Sequence, residues 1–409
     1  VRWTNSCGRL LIDRNAEGIQ MSANPPAPPT PPPLPPPPNL GPLGKPIRNW
    51  GNDDLLLEQE ALDAFADAHP EAVPVFSWPA LRDLFRAHDV TANSYRKKNR
   101  ARGLIGAACG FSSLLITALT PVVAAENVRA AWVLGLAAIL LAVAGGVIGY
   151  SGVLVGRSKW TWLGHRFWSE RSRQLLFQLI VNNLALASRV VDKDASAKGE
   201  WDDLRARTMR DFMQRMSRDS ELSLERMRDD LAEDSPWLEP GWAVPPPVPP
   251  ESRALDTVFA LLKRQRFDIQ INYTERKLPR SIHSPRVRLM VLRWTVEILT
   301  VSALLLAVAL GFLLVARFMP TDSAVRIIVA ISGGMTAAVM TLRMLEEGLQ
   351  LRAETERYEW YLAAVALADQ RYQGAGTAQK VELLREMERL SYQELRRFTD
   401  GYANARFVM

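Results

Sequence analysis

The pattern R-x-x-x-E-R occurs twice in the chain, as Arg166, Glu170 and Arg171 and again as Arg352, Glu356 and Arg357. On a helix, residues four apart share a face. Arg166 with Glu170, and Arg352 with Glu356, are therefore placed for ion pairs worth a few tenths of a kcal/mol. Such pairs either stiffen an exposed helix or hold a geometry that joins subunits. Each copy is preceded by a tyrosine with basic residues after it: Tyr95 with Arg96, Lys97 and Lys98, then Tyr273 with Arg276 and Lys277. Residues for bond-making chemistry are sparse. Gly145, Gly146 and Gly149 lie inside an apolar run, not between a strand and a helix, which argues against a phosphate-binding loop. His69, His88, His165 and His283 are scattered without ligand spacing. The His88 and Asp89 dipeptide lacks the companion residues of a metal phosphohydrolase. No catalytic residue, metal or cofactor is expected, and the chain reads as a non-enzyme.

The elements that carry these residues follow from where the apolar residues fall. Hydrophobic residues make up 48% of the 409 and are gathered in four blocks with charged stretches between, as when bilayer and water each solvate part of one chain. Residues 103–125 and 130–156 carry no charge and exceed the about twenty residues needed to cross a bilayer. Residues 298–316 are near that length. Residues 327–342, between Arg326 and Arg343, are short, and snorkelling arginines or local thinning of the bilayer would supply the missing length. The expectation is an all-α membrane protein of two transmembrane helical hairpins with long cytosolic helical extensions.

The same pass sets the domain order. A disordered proline-rich tail covers 1–46 and is read as a flexible tether, with a proline-rich ligand as the alternative. The first two-span unit covers 53–200. A cytosolic amphipathic helix covers 201–234, its stripe of Met209, Met213, Met216, Leu224, Met227 and Leu231 suited to a core or coiled-coil contact. A proline-rich linker at 235–252 leads to the second two-span unit, 253–375, and a C-terminal amphipathic helix takes up 376–409. Val1 at the start and Met21 before the tail suggest Met21 as an alternative first residue. No cleavable signal peptide is expected, because residues 1–20 hold Arg9, Asp13, Arg14 and Glu17 and no long apolar core. Two cysteines, Cys7 and Cys109, give no sign of an oxidising compartment.

Five Lys or Arg precede the first span and five follow the second, against one in the turn between them. Six lie from Arg276 to Arg293, against two around the second turn. By the positive-inside rule the turns face out and both termini are cytosolic. The net charge of +6 is thereby assigned to anionic lipid heads, not to nucleic acid.

Small residues recur four apart at Gly106 and Gly110, Gly145 and Gly149, Gly152 and Gly156, and Ser332 and Thr336. They let helices pack closely, within one hairpin or between subunits of a homo-oligomer. Ser112, Thr117 and Thr120 offer a weakly polar face, but no ring of charge lies at mid-membrane. Glu297 is a candidate for a pore mouth, or else pairs with Arg293 four residues earlier. Intramembrane charges of the kind transporters use are lacking.

With Trp160, Trp162, Trp168, Glu170 and Arg171 after the first hairpin and Glu356, Arg357, Tyr358, Trp360 and Tyr361 after the second, residues 55–372 resemble a tandem of the SLATT family. These are two-transmembrane effector domains of bacteria that associate with cyclic-oligonucleotide synthases and SLOG nucleotide sensors. The resemblance implies a multi-pass effector of the bacterial inner membrane. It would serve a defence or conflict system, forming a pore or perturbing the membrane once a cytosolic nucleotide sensor or synthase signals. The alternative is a non-conducting membrane scaffold or receptor that recruits cytosolic partners.

Overall fold

The computed structural model describes residues 54–149, 157–216, 235–278, 285–315 and 322–404. Regular elements among them are all helical. Two short helices, α1 (Gln59–Ala68) and α2 (Val73–Phe76), lead into α3 (Pro79–Ala124). Pro79 suits the first turn, where a missing N–H costs nothing and φ is already helical. At 1.5 Å per residue the 46 residues of α3 run about 69 Å, so one helix carries both a polar arm and an apolar span. After a turn, Asn127 starts α4 (Val128–Gly149), its Oδ1 accepting the Ala130 N–H at 3.1 Å. Three helices follow: α5 (Arg157–Asn182), α6 (Leu184–Val191) and α7 (Ala195–Met216).

The second half begins with α8 (Arg253–Leu262), capped by Ser252, whose Oγ accepts the Leu255 N–H at 3.1 Å. A π-helical turn (Lys263–Asp268) joins it to α9 (Ile269–Lys277). Then come α10 (Pro285–Val315), α11 (Asp322–Leu349), α12 (Leu351–Gln373) and α13 (Thr377–Asn404). Between α11 and α12, Gln350 stands in the left-handed region at φ 49°, which breaks an otherwise continuous helix.

Among the described residues four helices are long and apolar enough to cross a bilayer: α3, α4, α10 and α11 with its continuation. That is the pattern of a multi-pass membrane protein. The bent pair α5 and α6, which meet at 84°, also passes by length and composition. That pair belongs to the polar helices, because α5 buries Arg171 and Arg173 against protein partners. The expected spans fall inside these helices apart from Ala125, which caps α3, and 150–156 and 316, which lie outside the described residues. The span at 327–342 is only the apolar middle of a 28-residue helix. Its shortness is one of composition. The four apolar helices pack as a row in the order α4, α3, α11, α10.

The polar helices gather into a head. α7 is fastened to α2 by Trp201, whose Nε1–H donates to the Pro74 carbonyl at 3.1 Å, and by Arg205, which donates to Pro74 and Ser77 carbonyls at 2.7 and 2.6 Å. Met209, Met213 and Met216 pack partly buried against the main core. Leu224, Met227 and Leu231 lie outside the described residues, as does the tail at 1–46. α6 packs on α8, and α13 lies across both α5 and α12, so the two halves of the chain share one core.

Candidate functional site

Beneath the apolar helices the head buries a set of opposite charges drawn from both halves of the chain. Asp54, fully buried before α1, sits 3.3 Å from Arg173 Nε of α5 and 3.8 Å from Arg266 Nη1. The wider π-helical turn carries Arg266 inward, and such turns recur at functional positions. Arg266 Nε donates to Glu388 Oε1 of α13 at 2.8 Å and its Nη2 to Ser391 Oγ at 2.8 Å. Its guanidinium also lies over the Phe177 ring at 4.3 Å. On the other side Arg173 reaches Glu170 at 3.2 Å, and Arg166 bridges Glu170 at 2.5 Å and Asp89 of α3 at 3.0 Å. The charges form one chain from α3 through α5 and the π turn to α13.

A second branch ties α12 to its neighbours. Arg357 lies 3.3 Å from Glu394 of α13, Tyr402 donates to Glu354 at 2.7 Å, and Arg96 of α3 lies 3.6 Å from the same carboxylate. Burial pushes the Asp54, Glu388 and Glu394 carboxyls up, and their arginines only partly offset it. For Glu170 burial acts the same way, but Arg166, Arg173, Arg266 and Arg357 together outweigh it and hold that carboxyl below its ordinary value. Charges as deep as Asp54, Arg266 and Glu388 are costly unless matched, so removing one member strands its partner in the core. What it can do is lock helices.

Both R-x-x-x-E-R motifs form their Arg–Glu pair four residues apart, and their last residues are used alike. Arg171 lies over the Tyr392 ring at 5.0 Å and Arg357 over the Phe398 ring at 4.8 Å, so both reach aromatics of α13. The paired residues diverge. Arg166 with Glu170 belongs to the buried junction, whereas Arg352 and Glu356, 2.7 Å apart, are 68% and 62% exposed. The tyrosines correspond more closely. Tyr95 joins a small core with Trp162 and Phe167 of α5, and Tyr273 meets Tyr358 of α12 edge-on at 6.4 Å.

Two histidines that are far apart in the sequence meet in space. His88 Nδ1 and His165 Nδ1 are 2.8 Å apart, and the His88 ring stacks on Trp168 at 4.7 Å. One Nδ1–H donates to the other's lone pair. Burial first, and His165 second, lower His88 to about 4. Among the described residues no group of three His, Cys, Asp or Glu is arranged to hold a metal.

In the apolar helices, a Cβ on Gly145 would meet the Gly106 carbonyl and Cys109 Cβ at 3.2 Å and Gly110 N at 3.3 Å. Gly106, Gly110 and Gly145 thus pack α3 on α4. Gly152 and Gly156 lie outside the described residues, and Gly149 ends α4. Ser113 supplies a bond between these helices, donating to the Ala138 carbonyl at 2.7 Å. On α11, Gly333 and Gly334 make the close approach to α3. Ser332 and Thr336 instead line an open groove of about 670 Å³ with Thr117 of α3 and Gly311 of α10. Arg293 points to Glu346 of α11 at 3.5 Å, while Glu297 is exposed. Comparison with protein-family models, with curated proteins and with solved structures found no match.

Proposed function

We propose that the chain is a multi-pass effector of the bacterial inner membrane, with two transmembrane hairpins, cytosolic termini and a cytosolic helical head that restrains the hairpins until a signal releases them. The observation that carries this reading is α13. It packs on both α5 and α12, the helices that follow the second and fourth spans, and contacts them through Arg171 and Arg357, while Arg266 ties it to the π-helical turn. A signal that dislodged α13 would free the bases of both hairpins together. The row of apolar helices leaves α4 and α10 as its two edges, which suits self-association into a homo-oligomer. The groove between α3, α10 and α11 is lined mainly by apolar side chains, with only the hydroxyls of Thr117, Ser332 and Thr336 among them, so a leak through it would carry little charge selectivity.

The resemblance to tandem SLATT domains supplies the stimulus, a cytosolic nucleotide sensor of the SLOG type or a cyclic-oligonucleotide synthase. Production of the chain together with such an activating partner should depolarise cells. Normal membrane potential and growth under confirmed activation would reject the reading.

A further inference from the structure

Residues 244–250 read Val-Pro-Pro-Pro-Val-Pro-Pro. Proline fixes its own φ near −65° and keeps the residue before it out of the α region. Val244, Pro245, Pro246, Val248 and Pro249 each precede a proline, so the sequence itself confines the segment to polyproline II. Val244 stands at φ −83°, ψ 130°, inside that well, and 245–250 belong to neither helix nor strand. Burial follows the three-residue repeat of this helix. Pro246 is half-buried and Pro249 buried, while the residues between and around them are exposed, Val244 by 70% and Val248 by 54%.

Both ends of the segment are fastened. Arg385 of α13, fully buried over the Trp237 ring at 4.2 Å, donates to the Trp242 and Ala243 carbonyls at 3.0 and 3.2 Å. At the other end Thr377 Oγ1 donates to Glu251 at 3.0 Å and Ser252 caps α8. One edge of the prism is thus seated on the head, and two apolar ridges, Val244 with Pro247 and Pro250, and Pro245 with Val248, face outward.

We propose that residues 244–250 are a docking ligand for a cytosolic partner domain that reads polyproline II in a groove lined by aromatic side chains. Such grooves grip two apolar ridges of a left-handed threefold helix, and a ligand already held in that form loses little entropy on binding. Docking here is independent of whether the apolar helices conduct. It would place a partner one residue from the carbonyls that hold Arg385, and so beside α13.

The test uses the full chain in lipid nanodiscs, with the tail prolines between 25 and 46 replaced by serine in every sample. The probes are a panel of purified SH3 and WW domains, whose grooves have this chemistry. At least one domain should bind with micromolar Kd. Val248→Asp and Pro247→Ala should each weaken it at least tenfold with the melting temperature unchanged, and Leu367→Asp, exposed on α12, should not alter it. Absence of binding across the panel, or binding indifferent to Val248→Asp and Pro247→Ala, would overturn the proposal.

Discussion

Arg266 and Glu388, each about 1% exposed in its side chain, meet at 2.8 Å where the π-helical turn of the second half crosses α13. Removing one member of such a pair strands the other charge in the core, at a cost of about 3–5 kcal/mol. Glu388→Ala should lower the head's melting temperature sharply. Arg266→Met with Glu388→Met, which removes both charges at similar volume, should restore most of it. Scanning calorimetry of the protein in detergent measures both, and a double variant as unstable as the single would contradict the assignment.

The repeat motif predicts a contrast between copies. Arg352 and Glu356 are exposed, so Glu356→Ala should change stability by less than about 0.5 kcal/mol. Arg357→Ala strips Glu394 of its partner and the Phe398 ring of its cation, and should cost about 2–3 kcal/mol. Denaturant titration followed by circular dichroism separates the two.

Packing of α3 on α4 leaves no room at Gly145 but open space at Gly146. Gly145→Val must displace the backbone of Gly106, and is expected to cost about 1–3 kcal/mol. Gly146→Val should be tolerated. Resistance of the two variants to unfolding in mixed micelles reads the difference.

The histidine pair sets a pH dependence. His88 is held neutral in the fold down to about 4, while the unfolded chain takes up the proton near 6.5. The unfolded state therefore binds more protons between those values, so stability falls as pH drops from 6.5 towards 4. Because the ring is partly solvated, the change is on the order of 1 kcal/mol. His88→Gln should flatten this part of the melting profile, measured every half unit from pH 4 to 7.5.

Much of the helical layout was legible in the sequence, because uncharged blocks and basic flanks report directly on bilayer and water. Gly106, Gly110 and Gly145 were legible for the same reason, since spacing of four puts small residues on one face. The buried junction was not. Asp54, Arg266 and Glu388 come from distant segments, and nothing local marks the charge that ends up at the centre. His88 and His165 were hidden likewise, by separation along the chain. Composition marks 235–252 as a proline-rich linker but carries no sign that Arg385 anchors it. Helical spacing offers Glu297 either a pore mouth or Arg293 as a partner, whereas Arg293 meets Glu346 of the neighbouring helix.

Release of α13 is the central claim, and dye-loaded liposomes test it most directly. Wild-type protein and the Arg266→Met, Glu388→Met variant should retain the dye. Glu388→Ala combined with Glu394→Ala, with insertion and helix content verified, should let it escape. Liposomes bearing that released variant and as tight as wild type would contradict the account.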